Sequence, residues 1–98
     1  MNITGNKNGT HLTIALEGRL DTTTAPELET ALKKEMDSIT ALTLDFSKLD
    51  YISSAGLRVL LSAHKAMSKK DGMKVANANE MVKEVFDVTG FADILNIE

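Results

Sequence analysis

The part of the sequence richest in reactive side chains is residues 50–58, which read DYISSAGLR. Two adjacent hydroxyls, Ser53 and Ser54, stand there between an apolar segment typical of a strand and the start of a helical pattern. A hydroxyl in this position can cap the helix, act as a nucleophile beside a base, or accept a phosphoryl group. The residue types alone leave all three roles open.

The rest of the chain offers no residue placed to activate either serine as a nucleophile. The only histidines are His11, which follows a predicted hairpin turn, and His64, which lies two and a half helical turns beyond Ser54. A general base must be within hydrogen-bond reach of its nucleophile, so neither suits. There is no cysteine, and no Gly-Lys-Ser/Thr ending of a Walker A loop. We therefore predict no catalytic residue, no metal site and no cofactor.

Hydrophobic periodicity predicts the elements that position this segment. Alternating apolar residues predict strands at 3–7, 11–17, 41–46, 73–76 and 94–97, and 51–52 resumes the extended run after a connection at 47–50. Helical spacing predicts helices at about 25–36, 54–70 and 80–89, and Thr24 with Glu27 forms a capping-box pattern at the first. Strands separated by helices favour parallel pairing. We predict one α/β domain spanning residues 1–98, a mixed β-sheet with helices packed mainly on one side.

Composition narrows the possible partners and the compartment. The chain has 98 residues and a net charge of −3, with no basic cluster that would grip nucleic acid or an anionic membrane. No apolar run approaches the roughly 20 residues that span a bilayer. Without cysteines or a signal peptide, we predict a cytoplasmic protein that binds neither nucleic acid nor membrane directly.

Residues 51–57, YISSAGL, closely resemble the signature of STAS-domain anti-sigma-factor antagonists, whose form is aromatic, apolar, Asp or Ser, Ser, small, Gly, Leu. The resemblance extends along nearly the whole chain. GRLDT at 18–22, LTLDF at 42–46 and VFDVTGF at 85–91 resemble three further blocks of the family, in the same order.

This resemblance implies a bacterial partner-switching regulator of transcription in stress responses. The unphosphorylated form would bind an anti-sigma factor that has serine kinase activity, phosphorylation of Ser54 would release it, and a serine phosphatase would reset the switch. The family often has aspartate before the phosphoacceptor, but this chain has Ser53 there, so two hydroxyls are adjacent and Ser53 is the alternative phosphoacceptor. The resemblance also places Asp45 at a strand end beside Ser54. The implied partner-binding residues are Asp21, Thr22, Thr23, Asp45, Tyr51, Ser53, Ser54, Ala55 and Arg58.

One other function stays open. A STAS-like domain can serve as a non-phosphorylated scaffold, for example as a soluble subunit of a lipid-transport complex. Some relatives of the family have this role. Each site residue also has a plain structural role: a helix cap for the serines, a turn for Asp21, sheet-edge packing for Tyr51 and close helix packing for Gly56.

Overall fold

The sheet has five strands whose spatial order equals their order in the chain. The computed structural model describes residues 1–98. β1 (Asn2–Asn8) and β2 (His11–Leu20) form an antiparallel hairpin, whose turn is closed by Gly9 at a φ of 65°. β3 (Ala41–Ile52), β4 (Met73–Ala76) and β5 (Asn96–Ile97) then add in parallel, one after another. The predicted mixed sheet is confirmed.

Three helices make the crossovers between the parallel strands. α1 (Ala25–Glu35) joins β2 to β3, α2 (Ser54–Met67) joins β3 to β4, and α3 (Glu80–Thr89) joins β4 to β5. Short 3₁₀ turns follow α1 at Met36–Ser38 and α3 at Phe91–Asp93. None of the helices has both the length and the apolar character needed to cross a bilayer.

The core lies on one face of the sheet. Leu12 and Ile14 of β2 pair in register with Leu42 and Leu44 of β3, and all four side chains are buried. The helices cover this face, as the 6.5 Å between the ring centroids of Phe46 in β3 and Phe86 in α3 illustrates. The opposite face carries partly exposed residues, Thr13, Ala15, Asp45, Lys74 and Ala76. The prediction of helices packed on one side is therefore confirmed.

The predicted connection at 47–50 is wrong, because β3 continues through it to Ile52. The register with β2 shifts between Ala15 and Glu17 and again between Gly18 and Arg19. Such bulges bend a strand without ending it. They allow Phe46, Leu49 and Ile52, spaced by three instead of two, all to be buried. This spacing breaks the alternation by which a strand is recognised in sequence.

The start of α1 also differs from the capping-box prediction. Thr24 is the N-cap residue, but its hydroxyl makes no capping hydrogen bond to the helix. It donates instead to the carbonyl oxygen of Arg19 at 2.7 Å and accepts from the backbone N–H of Asp21 at 2.8 Å. The carboxylate of Asp21 accepts the free N–H groups of Thr23 and Thr24, so Asp21 closes this turn.

Three further boundaries move. β2 continues through Gly18 to Leu20, three residues beyond its predicted end. α2 ends at Met67, three residues before the predicted end, and the N–H of Gly72 donates to the carbonyl of Met67. β5 begins at Asn96 because the preceding residues form the 3₁₀ turn and a hydrogen-bonded bend.

Candidate functional site

The two adjacent serines at the start of α2 have different environments. Ser53 is the N-cap, with an extended backbone (φ −101°, ψ 175°), and its Oγ accepts a long hydrogen bond of 3.4 Å from the N–H of Gly56. Ser54 is the first residue of the helix and is exposed, and its hydroxyl forms no hydrogen bond within the protein. The exposed Ser54 hydroxyl therefore has no partner inside the protein, whereas the half-buried Ser53 hydroxyl accepts one hydrogen bond.

A backbone hydrogen bond joins this helix start to the turn before α1. The N–H of Ser53 donates to the carbonyl oxygen of Leu20 at 2.9 Å. Asp21 follows Leu20 directly, and Thr22 and Thr23 come next with exposed side chains. The carboxyl ends of β2 and β3 thus bring residues 21–23 and residues 53–54, which are distant in sequence, to one edge of the sheet.

Asp21 supplies a fixed negative charge to this edge. The backbone N–H of Thr24, which donates to the Asp21 carboxylate, lowers the pKa of Asp21 below its ordinary value, with further help from Thr23 and from the charge of Arg19. These donors stabilise the ionised form and hold the carboxylate in one orientation.

Arg19 and Tyr51 form a contact that the sequence did not reveal. They are partners in the register between β2 and β3, and the guanidinium carbon of Arg19 lies 4.3 Å from the centroid of the Tyr51 ring. The Arg19 Nε atom is 3.9 Å from a carboxylate oxygen of Asp21. The packing role for Tyr51 therefore includes holding a cation beside Asp21. Finding this pair from sequence would have required the bulged register of β3.

The family model described as STAS domain matches residues 2–98. The chain belongs to the STAS domain family. Curated relatives that it matches are named as anti-sigma factor antagonists, so the family resemblance seen in the sequence is confirmed.

Two curated relatives cover almost the whole STAS chain. BtrV of Bordetella bronchiseptica, named as an anti-sigma factor antagonist, is 34% identical over 99% of this chain and 85% of its own length. The anti-sigma-B factor antagonist of Bacillus subtilis is 28% identical over 99% of this chain and 90% of its own. Among solved structures, the unphosphorylated form of the anti-sigma factor antagonist SpoIIAA superposes with a TM-score of 0.85 at 17% identity, covering 99% of this chain and 88% of that one. The last likeness concerns the fold.

Asp45 is not beside Ser54, contrary to the sequence-based expectation. Because β3 continues to Ile52, Asp45 lies in the middle of the strand, nine residues before Ser54 and paired with Ala15 and Ala76. The seven residue steps of strand from Asp45 to Ile52, at about 3.3 Å each, alone span roughly 23 Å. Its carboxylate faces away from the helices and accepts hydrogen bonds from the side-chain amide of Asn77 and the N–H of Ser47, both at 3.0 Å. The bond from Asn77 is the main cause of the lowered pKa of Asp45.

The remaining predicted residues of the STAS site lie on α2. Ala55 is half-buried, and Gly56 is buried against β2 and β3. Arg58 is exposed one helical turn beyond Ser54 and forms no ion pair within the protein. Its guanidinium is therefore available to a group placed at the start of the helix or to another protein.

Neither histidine can assist Ser54. His64 lies ten residues along α2, about 15 Å by helical rise, and is half-buried with no hydrogen-bond partner for Nδ1. His11 shares a 2.8 Å hydrogen bond with Thr43 of the neighbouring strand β3. This pair lies at the end of the sheet opposite to Ser54. The anti-sigma factor antagonists of this family are binding proteins.

Proposed function

We propose that this STAS protein is an anti-sigma-factor antagonist whose binding is switched by phosphorylation of Ser54. The unphosphorylated form binds an anti-sigma factor that is also a serine kinase and thereby frees a sigma factor. Phosphorylation releases the anti-sigma factor, and a serine phosphatase restores the first state. The observation that carries the proposal is the contrast between the engaged hydroxyl of Ser53 and the free, exposed hydroxyl of Ser54.

The position of Ser54 suits a phosphate without a change of fold. It is the first residue of a 14-residue helix, where unpaired N–H groups and the helix dipole favour an anion. Ser53 keeps its capping bond when its neighbour is modified, because the two side chains do not share a hydrogen bond. The switch therefore acts on the surface presented to the partner.

Charge explains how the phosphate would release a partner. The edge already carries the ionised carboxylate of Asp21, and a phosphate adds about −1.5 to −2 charges at neutral pH. A partner that fits the unmodified surface would then meet extra bulk and about three times the negative charge. A penalty of about 3 kcal/mol weakens binding more than 100-fold.

Other features support the same proposal. SpoIIAA, which has the same fold, is known in both a phosphorylated and an unphosphorylated form. The curated relatives are anti-sigma factor antagonists. The net charge of −3 suits a protein partner better than nucleic acid. A cytoplasmic location follows from the proposal, since sigma factors act on RNA polymerase there.

The test combines three serine variants with the cellular partner of the protein. That partner is identified by mass spectrometry of complexes formed by Ser54→Ala, its affinity for each variant is measured by calorimetry, and its transfer of phosphate to each variant is measured with radiolabelled ATP. Ser54→Ala should bind like the wild type, Ser54→Asp should bind at least 100-fold more weakly, and Ser53→Ala should still accept phosphate. Phosphate incorporation into Ser54→Ala would move the site to Ser53, and none into the wild type would favour a non-phosphorylated scaffold.

A further inference from the structure

The large apolar side chains most exposed to solvent all lie beyond β4. They are Met81, Val88 and Ile94, with exposed fractions of 58%, 77% and 46%. Met81 and Val88 share one flank of α3 with the half-buried Val85, at positions i, i+4 and i+7. We call these three residues the α3 stripe. Their spacing makes them a continuous apolar row along the helix.

The α3 stripe faces the side of the molecule where α2 lies. Val82 and Phe86 of α3 are buried against the sheet. Lys83 and Asp87 line a small cavity together with Ile97 of β5, which identifies the β5 side of the helix. At about 100° per residue, the stripe lies on the opposite flank, towards β3 and α2.

The stripe begins close to the Ser54 edge. Asn79 caps α3 by accepting the N–H of Val82 at 2.8 Å, and its side-chain amide donates to the carbonyl oxygen of Leu49 at 3.0 Å. Leu49 precedes Ser53 by four residues of strand, a distance of roughly 13 Å. The starts of α2 and α3 therefore lie at the same end of the sheet, separated by roughly that length of β3.

Area and polarity indicate that the two surfaces serve one partner. The surface around Ser54 is polar, whereas stable interfaces have an apolar centre and bury about 800 Å² on each partner. The α3 stripe exposes on the order of 300 Å², too little for a stable dimer of this chain on its own. The polar edge lacks an apolar centre, and the α3 stripe lacks sufficient area. An interface that includes both surfaces has both properties.

Charge indicates the chemistry of the occupant. Glu80 and Glu84 are exposed along the solvent side of α3, between the stripe and the β5 flank that carries Lys83 and Asp87. Two carboxylates at i and i+4 beside the stripe would attract Lys or Arg side chains placed along the rim of a docked apolar segment.

We propose that the α3 stripe is the apolar anchor of the anti-sigma-factor interface, occupied by an apolar segment of that kinase flanked by basic side chains. This inference rests on the proposed function. The stripe contributes affinity in both phosphorylation states, because a phosphate on Ser54 does not alter it. The phosphorylation state of Ser54 then determines the ratio between the two affinities for the kinase, and the stripe increases both affinities by the same factor.

The test measures binding of the purified kinase that phosphorylates Ser54. The variant Met81→Ser/Val88→Ser removes the exposed apolar groups of the stripe, and Ile94→Ser is the matched control outside it. The double variant should bind 10- to 100-fold more weakly and the control within twofold of the wild type. Adding Ser54→Asp to the double variant should weaken binding by the same factor as in the wild type. Thermal unfolding checks that each variant folds.

Each other outcome has a distinct meaning. Binding of the double variant within twofold of the wild type would overturn the anchor while leaving the switch intact. Self-association of the wild type that the double variant loses, with kinase affinity unchanged, would assign the stripe to a second copy. Weaker binding of the double variant with no effect of Ser54→Asp would sustain the anchor and refute the phosphorylation switch. A wild type that does not bind the kinase would refute both.

Discussion

Gly56 of α2 lies so close to Leu20 of β2 that a Cβ atom on the glycine would be 2.8 Å from Leu20 Cγ. The same Cβ would be 2.9 Å from Cγ1 of Ile52. The first turn of α2 therefore rests directly on the ends of β2 and β3. This close approach holds the Ser54 edge against the Asp21 turn, and it explains why a glycine follows the two serines.

Gly56→Ala should destabilise the protein by about 1–3 kcal/mol, because the added methyl group has to displace buried side chains. Urea unfolding at pH 7 measures this change. Gly5→Ala is the matched control, since a Cβ there would lie 3.8 Å from Leu12, an ordinary contact. A Gly56→Ala protein as stable as the wild type would show that the first turn of α2 can move away from the sheet.

Replacing Ser53 and replacing Ser54 by alanine should change the free energy of unfolding by different amounts. Ser53→Ala removes the N-cap acceptor for the N–H of Gly56 and should cost about 0.5–1 kcal/mol. Ser54→Ala removes a hydroxyl with no partner in the protein and should change the free energy of unfolding by less than about 0.5 kcal/mol. Equal losses in the two variants, measured by urea unfolding, would contradict the assignment of one serine to structure and the other to contact.

Asp21 should make stability depend on pH in the acid range. Its pKa is lowered in the folded protein, so its stabilising contribution is complete above about pH 5 and is lost as the pH falls through 4 towards the folded pKa. Asp21→Asn keeps an acceptor oxygen but has no charge to lose. Its unfolding midpoint should be below that of the wild type at pH 7, and the difference should shrink at pH 3. A constant difference would mean that the charge of Asp21 does not stabilise the turn.

The fold could be predicted from the sequence because its signals are local. The alternation of Leu12, Ile14 and Leu16 and the helical spacing of the α2 residues specify elements whose order permits few topologies. The second half of β3 could not be predicted, since its buried residues are spaced by three across bulges that only pairing with β2 defines. The misplacement of Asp45 followed from that error.

The site was predictable where it consists of one continuous segment. Residues 51–57 carry the serines and the glycine in sequence, and the structure keeps them together. A capping box was predicted for α1 because a Thr–Glu spacing is a common signal. In the structure the Asp21 carboxylate accepts the N–H of Thr24 that Glu27 would accept in a capping box. The Thr24 hydroxyl is engaged with the backbone of Arg19 and Asp21. The contact between Arg19 and Tyr51 depends on register and had no signal in the sequence.

Asp45→Asn should leave the affinity for the anti-sigma factor within twofold of the wild type. The carboxylate lies on the face of the sheet away from the helices and is engaged with Asn77 and Ser47. Asn77 itself has a φ of 62°, so this bond helps to hold a turn that few residues adopt. Calorimetry with the same kinase checks the prediction, and Asp21→Asn provides the comparison at the edge. A tenfold loss for Asp45→Asn alone would extend the interface onto the open face of the sheet.

Ser54→Asp should raise the stability of the free protein while it weakens partner binding. A carboxylate at the first helical position interacts favourably with the helix dipole and with unpaired N–H groups, by about 0.3–1 kcal/mol at low salt. Arg58, one turn further along the exposed side, adds to this attraction. Urea unfolding in 20 mM and 500 mM salt measures the gain, which should diminish at the higher concentration because salt screens exposed charges. Ser54→Asn, which is similar in shape but uncharged, is the control and should show no dependence on salt. A Ser54→Asp protein less stable than the control at low salt would show that the start of α2 does not accept negative charge, and the phosphate would then act by distorting the helix.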